Sequence, residues 1–136
     1  MPKFSKKSLA ILEDVHPELQ FVLHFAIAII DFTVIEGSRT IQRQSELFAN
    51  RKAKTMNSKH VIQDDGYSHA VDLAPYPIDW EDRERFSYLA GIIIGIAAYL
   101  KDSGQIEHSI RWGGDWDSDG DIYDNIFDDL PHFELT

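Results

Sequence analysis

The sequence contains no cysteine, so neither a disulfide bond nor a thiolate metal site can form. Any transition metal must therefore be bound by histidine and carboxylate side chains. Basic residues are scarce towards the end of the chain, since residues 60–136 contain four Lys or Arg against 17 Asp or Glu. The net charge of −10 argues against nucleic-acid binding, which needs cations to neutralise phosphates.

Long apolar runs are also missing. The two most apolar segments, Phe21–Ile30 and Tyr88–Leu100, are shorter than the roughly 20 residues of a membrane-spanning helix, so we expect no membrane insertion. We identify no signal peptide, because no small-residue cleavage site follows the basic start of the chain. A length of 136 residues with 43% apolar content predicts a single domain, 1–136, which we expect to be a monomer.

Periodicity, capping residues and turn signals predict four helices and four short strands. Their order predicts an α+β fold in which helices pack on one face of a small antiparallel sheet. Ser5 is the predicted N-cap of the first helix, Thr40 or Ser38 of the third and Asp79 of the fourth. The predicted helices are 5–15, 18–30, 41–50 and 80–101, and the predicted strands are 32–35, 71–74, 110–112 and 132–135.

A catalytic zinc site needs about three protein ligands, and His60, Asp72 and His132 supply two imidazoles and a carboxylate. Asp129 precedes His132 by three residues and is suited to act as the base that takes a proton from water. Arg39 is suited to stabilise the oxyanion of an attacked carbonyl. A lone histidine is more often solvated or hydrogen-bonded than a ligand, and His16, His24 and His108 are interpreted in that way.

An acidic loop predicts a second cation site. Asp115, Asp117 and Asp119 occupy the first, third and fifth positions of a calcium-loop pattern, with Gly120 at the sixth and Asp121 next. The twelfth position is Ile126 instead of a glutamate, so Asp124 or a backbone carbonyl would have to complete the shell. We expect calcium to order the loop that leads to the catalytic residues; the alternative is a solvated polar turn.

Four motifs occur together in order: Arg39-Thr40, Ser58-x-His60, Ala70-x-Asp72 and Asp129-x-x-His132. In this the chain resembles the zinc peptidases related to D-Ala-D-Ala carboxypeptidases and dipeptidases, and most of all the phage L-alanyl-D-glutamate endopeptidases among the endolysins. Segments 112–116, 72–76 and 131–135 add to the likeness. The resemblance implies a Hedgehog/DD-peptidase-like fold, the zinc ligands, base and arginine named above, and Ser58 as a residue that orients a ligand.

The spacing between two of the ligands departs from that family. Six residues usually separate the His and Asp ligands, whereas eleven separate His60 from Asp72. We interpret Asp64–Ser68 as an insertion with a turn at Asp65-Gly66. The alternative makes His69 the ligand, but on a strand His69 and Asp72 face opposite sides. His60 is therefore favoured, and His69 is expected to support the ligands from outside the zinc shell.

The resemblance implies hydrolysis of the L-Ala–D-Glu bond in bacterial peptidoglycan. It also implies synthesis in the cytoplasm of a host bacterium and action on the cell wall after release across the inner membrane. Two alternatives remain open. One is a D-Ala-D-Ala carboxypeptidase or dipeptidase with the same zinc chemistry, and the other is a non-catalytic, metal-stabilised wall-binding domain.

Overall fold

The computed structural model describes residues 2–53, 56–123 and 128–136. Within these ranges, four helices and four strands confirm the predicted α+β class. In chain order they are α1 (Lys6–Leu12), α2 (Pro17–Ile27), β1 (Phe32–Glu36), α3 (Ile41–Ala49), β2 (Ala70–Pro75), α4 (Arg83–Asp102), β3 (Ile110–Trp112) and β4 (His132–Leu135).

The strands form one antiparallel sheet in the order β1-β2-β4-β3. The last strand of the chain therefore lies between β2 and β3 and brings distant residues together. Asp72 of β2 pairs in register with His132 of β4. A register irregularity in β1 between Val34 and Glu36 then sets Glu36 opposite Asp72.

The two faces of the sheet have different tasks because side chains alternate along a strand. Val71 and Leu73 of β2, with Phe133 and Leu135 of β4, belong to one hydrophobic cluster that also contains the buried faces of α2 and α4. Asp72, His132 and Glu134 have the opposite parity. The hydrophobic core therefore packs against one face of the sheet, and these polar residues lie on the other face. Among the described helices, none combines the length and the apolar character that a membrane crossing requires.

Capping chemistry sets most of the helix starts. The Ser5 hydroxyl accepts a hydrogen bond from the Ser8 N–H, and Thr40 caps α3 through the Arg43 N–H, as predicted. The predicted start of α4 is wrong by three residues: Asp82 is its N-cap, while the predicted cap Asp79 accepts a hydrogen bond within the preceding turn.

The first two helices also end earlier than predicted. The first two helices stop at Leu12 and Ile27 instead of Val15 and Ile30. Val15 leaves the helical path to form a bridge with Ser68, and the Ile30 N–H closes a last turn onto Ala26. These tertiary contacts end the helices before the apolar pattern does.

Candidate metal centre and catalytic cleft

Three side chains from distant parts of the chain meet on the polar face of the sheet. His60 Nε2 lies 3.1 Å from Asp72 Oδ1 and 3.2 Å from His132 Nδ1, and His132 Nδ1 lies 3.2 Å from Asp72 Oδ1. The two histidines are buried and Asp72 is partly exposed. The structure therefore brings together the three predicted zinc ligands.

The other nitrogen of each imidazole is already occupied. His60 Nδ1 lies 2.7 Å from the Gly37 carbonyl oxygen, which can only accept, so this nitrogen carries the proton. His132 Nε2 donates in the same way to the Glu134 carboxylate at 2.8 Å. With neutral rings, two nitrogen lone pairs and a carboxylate oxygen then converge with no proton between them. That arrangement needs a cation.

The spacing of the three atoms fits zinc. A tetrahedral ion with bonds of about 2.0–2.1 Å holds its ligand atoms roughly 3.3 Å apart. The observed separations of 3.1–3.2 Å are close to this value. Hydrogen bonds from the outer nitrogens to a carbonyl and a carboxylate are also typical of histidines that bind a metal. The residues present therefore fit a zinc ion.

Without a metal ion, protons on the imidazoles supply the positive charge that the cluster needs, and the pKa values of the cluster reflect hydrogen bonds from protonated rings. Burial by itself would raise the pKa of Asp72, but hydrogen bonds from His132 and His60 hold it far below its ordinary value. Burial opposes protonation of His132, yet hydrogen bonds to Asp72 and Glu134 raise its pKa to about 9. Glu134 stays ionised, because its bonds to His132 and Arg111 outweigh burial and lower its pKa to about 2.

The cluster faces an open cleft of about 530 Å³. Arg39 and Asp129, the predicted oxyanion-stabilising residue and base, line the same cleft. Burial, and then the charge of Asp72, raise the pKa of Asp129, while the positive charge of Arg39 is one of the influences that oppose the rise. A carboxyl group with a raised pKa is better able to accept and return a proton near neutral pH.

Arg39 is held in place by two side chains. Its Nε donates to Glu36 Oε1 at 2.6 Å, and its Nη1 donates to Gln44 Oε1 at 2.7 Å. Gln44 is almost completely buried, with 1% of its surface exposed. The backbone contributes as well, since the Arg39 N–H donates to the His60 carbonyl at 2.8 Å. The guanidinium is thereby fixed in the cleft that contains His60, Asp72 and His132.

The Trp-Gly-Gly sequence at the end of β3 positions Asp129. The Asp129 N–H donates to the Gly113 carbonyl at 2.8 Å, and the Gly113 N–H donates to the His132 carbonyl at 2.8 Å. A Cβ atom on Gly113 would overlap the Asp129 carbonyl, and one on Gly114 would overlap the Trp112 ring. Both glycines are therefore required by close packing, not by an unusual φ angle.

The predicted insertion forms a turn and leaves the ligands in place. Gly66 adopts a φ of +86°, and the Gln63 N–H pairs with the Tyr67 carbonyl at 2.9 Å. Ser58 accepts a hydrogen bond from the His60 N–H at 3.2 Å, so it supports that ligand through the backbone.

His69 lies elsewhere, which corrects the expectation that it supports the ligands. Its Nε2 lies 2.7 Å from Asp65 Oδ2, and its ring packs edge-on against His16 with centroids 5.1 Å apart. Because it precedes Asp72 by three positions, the parity of the strand directs it away from the cleft. His108 also adjoins His16, at 5.2 Å between centroids, so three histidines form a cluster apart from the metal centre.

Sequence reasoning missed three residues that position the site: Gly37, Gln44 and Glu134. One of them had a readable signal. His132 and Glu134 are two positions apart on a predicted strand, so they share a face, and a carboxylate beside a ligand histidine is a frequent partner. The roles of Gly37 and Gln44 depend on contacts across the fold and have no local signal.

The acidic loop brings part of the predicted calcium set together. Oxygen atoms of Asp115, Asp117 and Asp119 lie within 4.8 Å of one another. Gly120 adopts a φ of +82° and donates its N–H to Asp115 at 3.0 Å. Asp121 is not part of that group and accepts a hydrogen bond from the Tyr123 N–H instead. Asp124 and Ile126 lie outside the described residues.

Comparison with known proteins agrees with this architecture. A family model described as phage L-alanyl-D-glutamate peptidase matches residues 1–136. The L-alanyl-D-glutamate peptidase of Escherichia phage T5 is 33% identical over an alignment 132 positions long, and the match covers 91% of this chain and 88% of that protein. The crystal structure of the L-Ala D-Glu endopeptidase ChiX from Serratia marcescens superposes with a TM-score of 0.75 at 28% identity, covering 98% of this chain and 89% of that one.

A small antiparallel sheet that carries two imidazoles and a carboxylate at an open cleft defines a class of compact α+β peptidases. The likeness in both sequence and structure extends over nearly the whole chain. The chain belongs to the phage L-alanyl-D-glutamate peptidase family.

Proposed function

We propose that the protein is a zinc-dependent endopeptidase that hydrolyses the L-Ala–D-Glu bond of the peptidoglycan stem peptide. The observation that carries the proposal is the convergence of His60 Nε2, Asp72 Oδ1 and His132 Nδ1 at 3.1–3.2 Å beside a cleft. The bond is the one named for the family and for both relatives. Because that substrate is part of the bacterial cell wall, the protein would act there as a phage endolysin.

The residues around the cluster have distinct tasks in this proposal. His60, Asp72 and His132 would hold the zinc ion, whose Lewis acidity polarises a peptide carbonyl and acidifies water. Asp129 takes the proton from the attacking water and passes it to the nitrogen of the leaving D-Glu. The guanidinium of Arg39 stabilises the negative charge that develops on the carbonyl oxygen.

We also propose that calcium binds the acidic loop and supports the catalytic residues. The carboxylates of Asp115, Asp117 and Asp119 are the hard oxygen ligands that calcium prefers. Burial, and then the neighbouring carboxylates, raise the pKa of Asp115, and a bound cation would relieve this repulsion. The loop follows Gly113, whose carbonyl accepts the hydrogen bond from the Asp129 N–H, so ordering the loop would fix the base.

A product map of purified cell wall tests the activity. The proposal predicts new D-Glu amino termini after digestion. Released D-Ala would instead indicate the carboxypeptidase, and binding without any cleavage would indicate a wall-binding domain.

Metal analysis of two alanine variants tests the ligand assignment. We expect the wild type to bind about one equivalent of zinc at His60, Asp72 and His132. His60→Ala should lose this zinc, and His69→Ala should retain it. His69 is a matched control because it lies only three residues from Asp72 but packs against His16, outside the cleft. Loss of zinc only in His69→Ala would reverse the assignment.

Calcium is tested on chelator-treated protein that has been reloaded with zinc. Added calcium should raise both the melting temperature and the rate of wall digestion in the wild type, and Asp117→Asn should weaken both responses. If calcium changes neither quantity in the wild type, the loop is a solvated turn.

A further inference from the structure

The rim of the cleft is basic although the protein as a whole is strongly acidic. Five of the 13 Lys and Arg residues line the cleft, against three acidic residues that belong to the metal cluster and its surroundings. The five are Arg39, Arg51, Lys52, Lys59 and Arg111.

Three of these cations have partners within the site. Arg39 pairs with Glu36, and both Lys59 and Arg111 pair with Glu134. Arg51 and Lys52 make no ion pair with the described part of the chain. Their charges are therefore available to a ligand that enters the cleft.

The backbone of Arg51 makes it the more informative of the two. Arg51 has a φ of +57°, in the left-handed region that favours glycine. It follows the C-cap Asn50 of α3, and the Arg51 and Lys52 N–H groups donate to the Phe48 and Leu47 carbonyls at 3.1 and 2.8 Å. This is the Schellman arrangement, in which the position of Arg51 is usually glycine. An arginine is thus held where glycine would be more stable.

The substrate of the proposed function has a charge that such a residue could bind. A glutamate joined into a peptide through one of its two carboxyl groups keeps the other one free. A carboxylate is therefore carried by the very residue whose nitrogen leaves in the reaction. Arginine is the side chain best suited to a carboxylate, because its planar guanidinium donates two parallel hydrogen bonds.

We propose that Arg51 is a specificity-determining residue that binds the free carboxylate of the D-Glu on the leaving side of the scissile bond. The inference rests on the proposed function. It explains why the chain keeps a positive charge at a backbone position that disfavours it, on the rim of the cleft that contains the metal cluster. Arginine at position 51 lowers the stability of the fold relative to glycine, and in this proposal it gives the enzyme a preference for an anionic substrate.

Two peptides that differ at one group test the inference. Both contain the L-Ala–D-Glu bond, but in the second the free carboxylate of the glutamate is replaced by a carboxamide. We expect the kcat/KM of the zinc-loaded wild type to be on the order of tenfold higher for the carboxylate peptide than for the carboxamide peptide. Arg51→Gly should lower kcat/KM on the carboxylate peptide to near the value for the carboxamide, which should itself change little. Arg51→Lys should keep part of the preference, because lysine retains the positive charge but cannot donate two parallel hydrogen bonds to the carboxylate.

Stability separates this effect from damage to the fold. Arg51→Gly removes the side chain from a left-handed position, so its melting temperature should rise by about 2–5 °C. Arg43→Gln is the control, since Arg43 is an exposed cation of α3, the helix that Arg51 follows, and it pairs with Glu46. It should leave the kcat/KM of both peptides unchanged.

Equal loss of kcat/KM on both peptides in Arg51→Gly, or no loss on either, would overturn the role of Arg51. Failure of the wild type to cut either peptide would overturn the proposed function, and the role of Arg51 with it. The two failures are distinguishable. In the first, the wild type still cleaves the peptides and only the behaviour of Arg51→Gly differs from expectation, whereas in the second the wild type itself is inactive.

Discussion

Glu134 accepts a hydrogen bond from the Nε2 atom of His132 at 2.8 Å, which leaves Nδ1 of the same ring directed at His60 and Asp72. The carboxylate fixes both the tautomer and the orientation of the ring. It is itself held by Arg111 at 2.8 Å. The candidate metal centre thus depends on a residue other than His60, Asp72 and His132.

Replacing Glu134 by glutamine should weaken metal binding without removing a ligand. The neutral amide makes His132 less basic and orients it less firmly, so zinc affinity should fall by roughly 10- to 100-fold. Competition with a chromogenic chelator measures the change. Glu46→Gln, on the exposed face of α3, serves as the control. An unchanged affinity in Glu134→Gln would show that the hydrogen bond does not tune the site.

Replacing Asp129 by asparagine should abolish most of the activity but not metal binding. The amide cannot accept the proton of the attacking water, so kcat should fall by about 10²–10⁴-fold. Zinc content should stay at the wild-type level. Asp128→Asn is a control at the neighbouring position, where the carboxylate pairs with Arg83 instead. A variant Asp129→Asn with full activity would exclude this residue as the base.

Replacing Gly113 by alanine should destabilise the protein and displace the base. The new Cβ would overlap the Asp129 carbonyl, and relief of the overlap should cost about 1–3 kcal/mol of unfolding free energy. Urea unfolding measures the cost. Gly91→Ala is the control: a Cβ there meets open space on the exposed side of α4, so it should stabilise the protein by about 0.5–1 kcal/mol. Equal stability of the two variants would contradict the packing argument.

The histidine cluster outside the cleft should make stability depend on pH. His16 accepts a hydrogen bond from the Glu18 N–H through Nδ1 and thereby caps α2. Burial, and then the charge of His69, lower its pKa, whereas Glu18 and Asp65 act in the opposite direction and His108 adds to the lowering. The unfolded chain therefore binds the proton more readily than the folded protein, so the contribution of His16 is complete above pH 6.5 and is lost as the pH falls through the lowered pKa.

The size of that loss follows from the cap. A protonated His16 cannot accept the hydrogen bond, which should cost about 0.5–2 kcal/mol. His16→Asn keeps a capping side chain that does not titrate. Urea unfolding of both proteins at pH 7 and pH 5 should show a larger loss in the wild type. Parallel losses would mean that His16 does not contribute to the pH dependence.

Much of the architecture could be predicted from local chemistry. Ser5 and Thr40 begin their helices because their hydroxyl groups satisfy free N–H groups, and this needs only neighbouring residues. The start of α4 could not be predicted in this way. Asp79 and Asp82 are equally good caps in the sequence, and the choice depends on where the preceding turn ends.

The sequence by itself determined which side chains could bind a metal, because with no cysteine only histidines and carboxylates remain, and strand parity separated His69 from Asp72. Only the tertiary structure decided how these residues meet. The strand order places β4 beside β2, and this sets His132 opposite Asp72 although 59 residues lie between them. Gly37, Gln44 and Glu134 gained their roles from the same long-range pairing, since hydrogen bonds across a sheet depend on register and leave no trace in a local pattern.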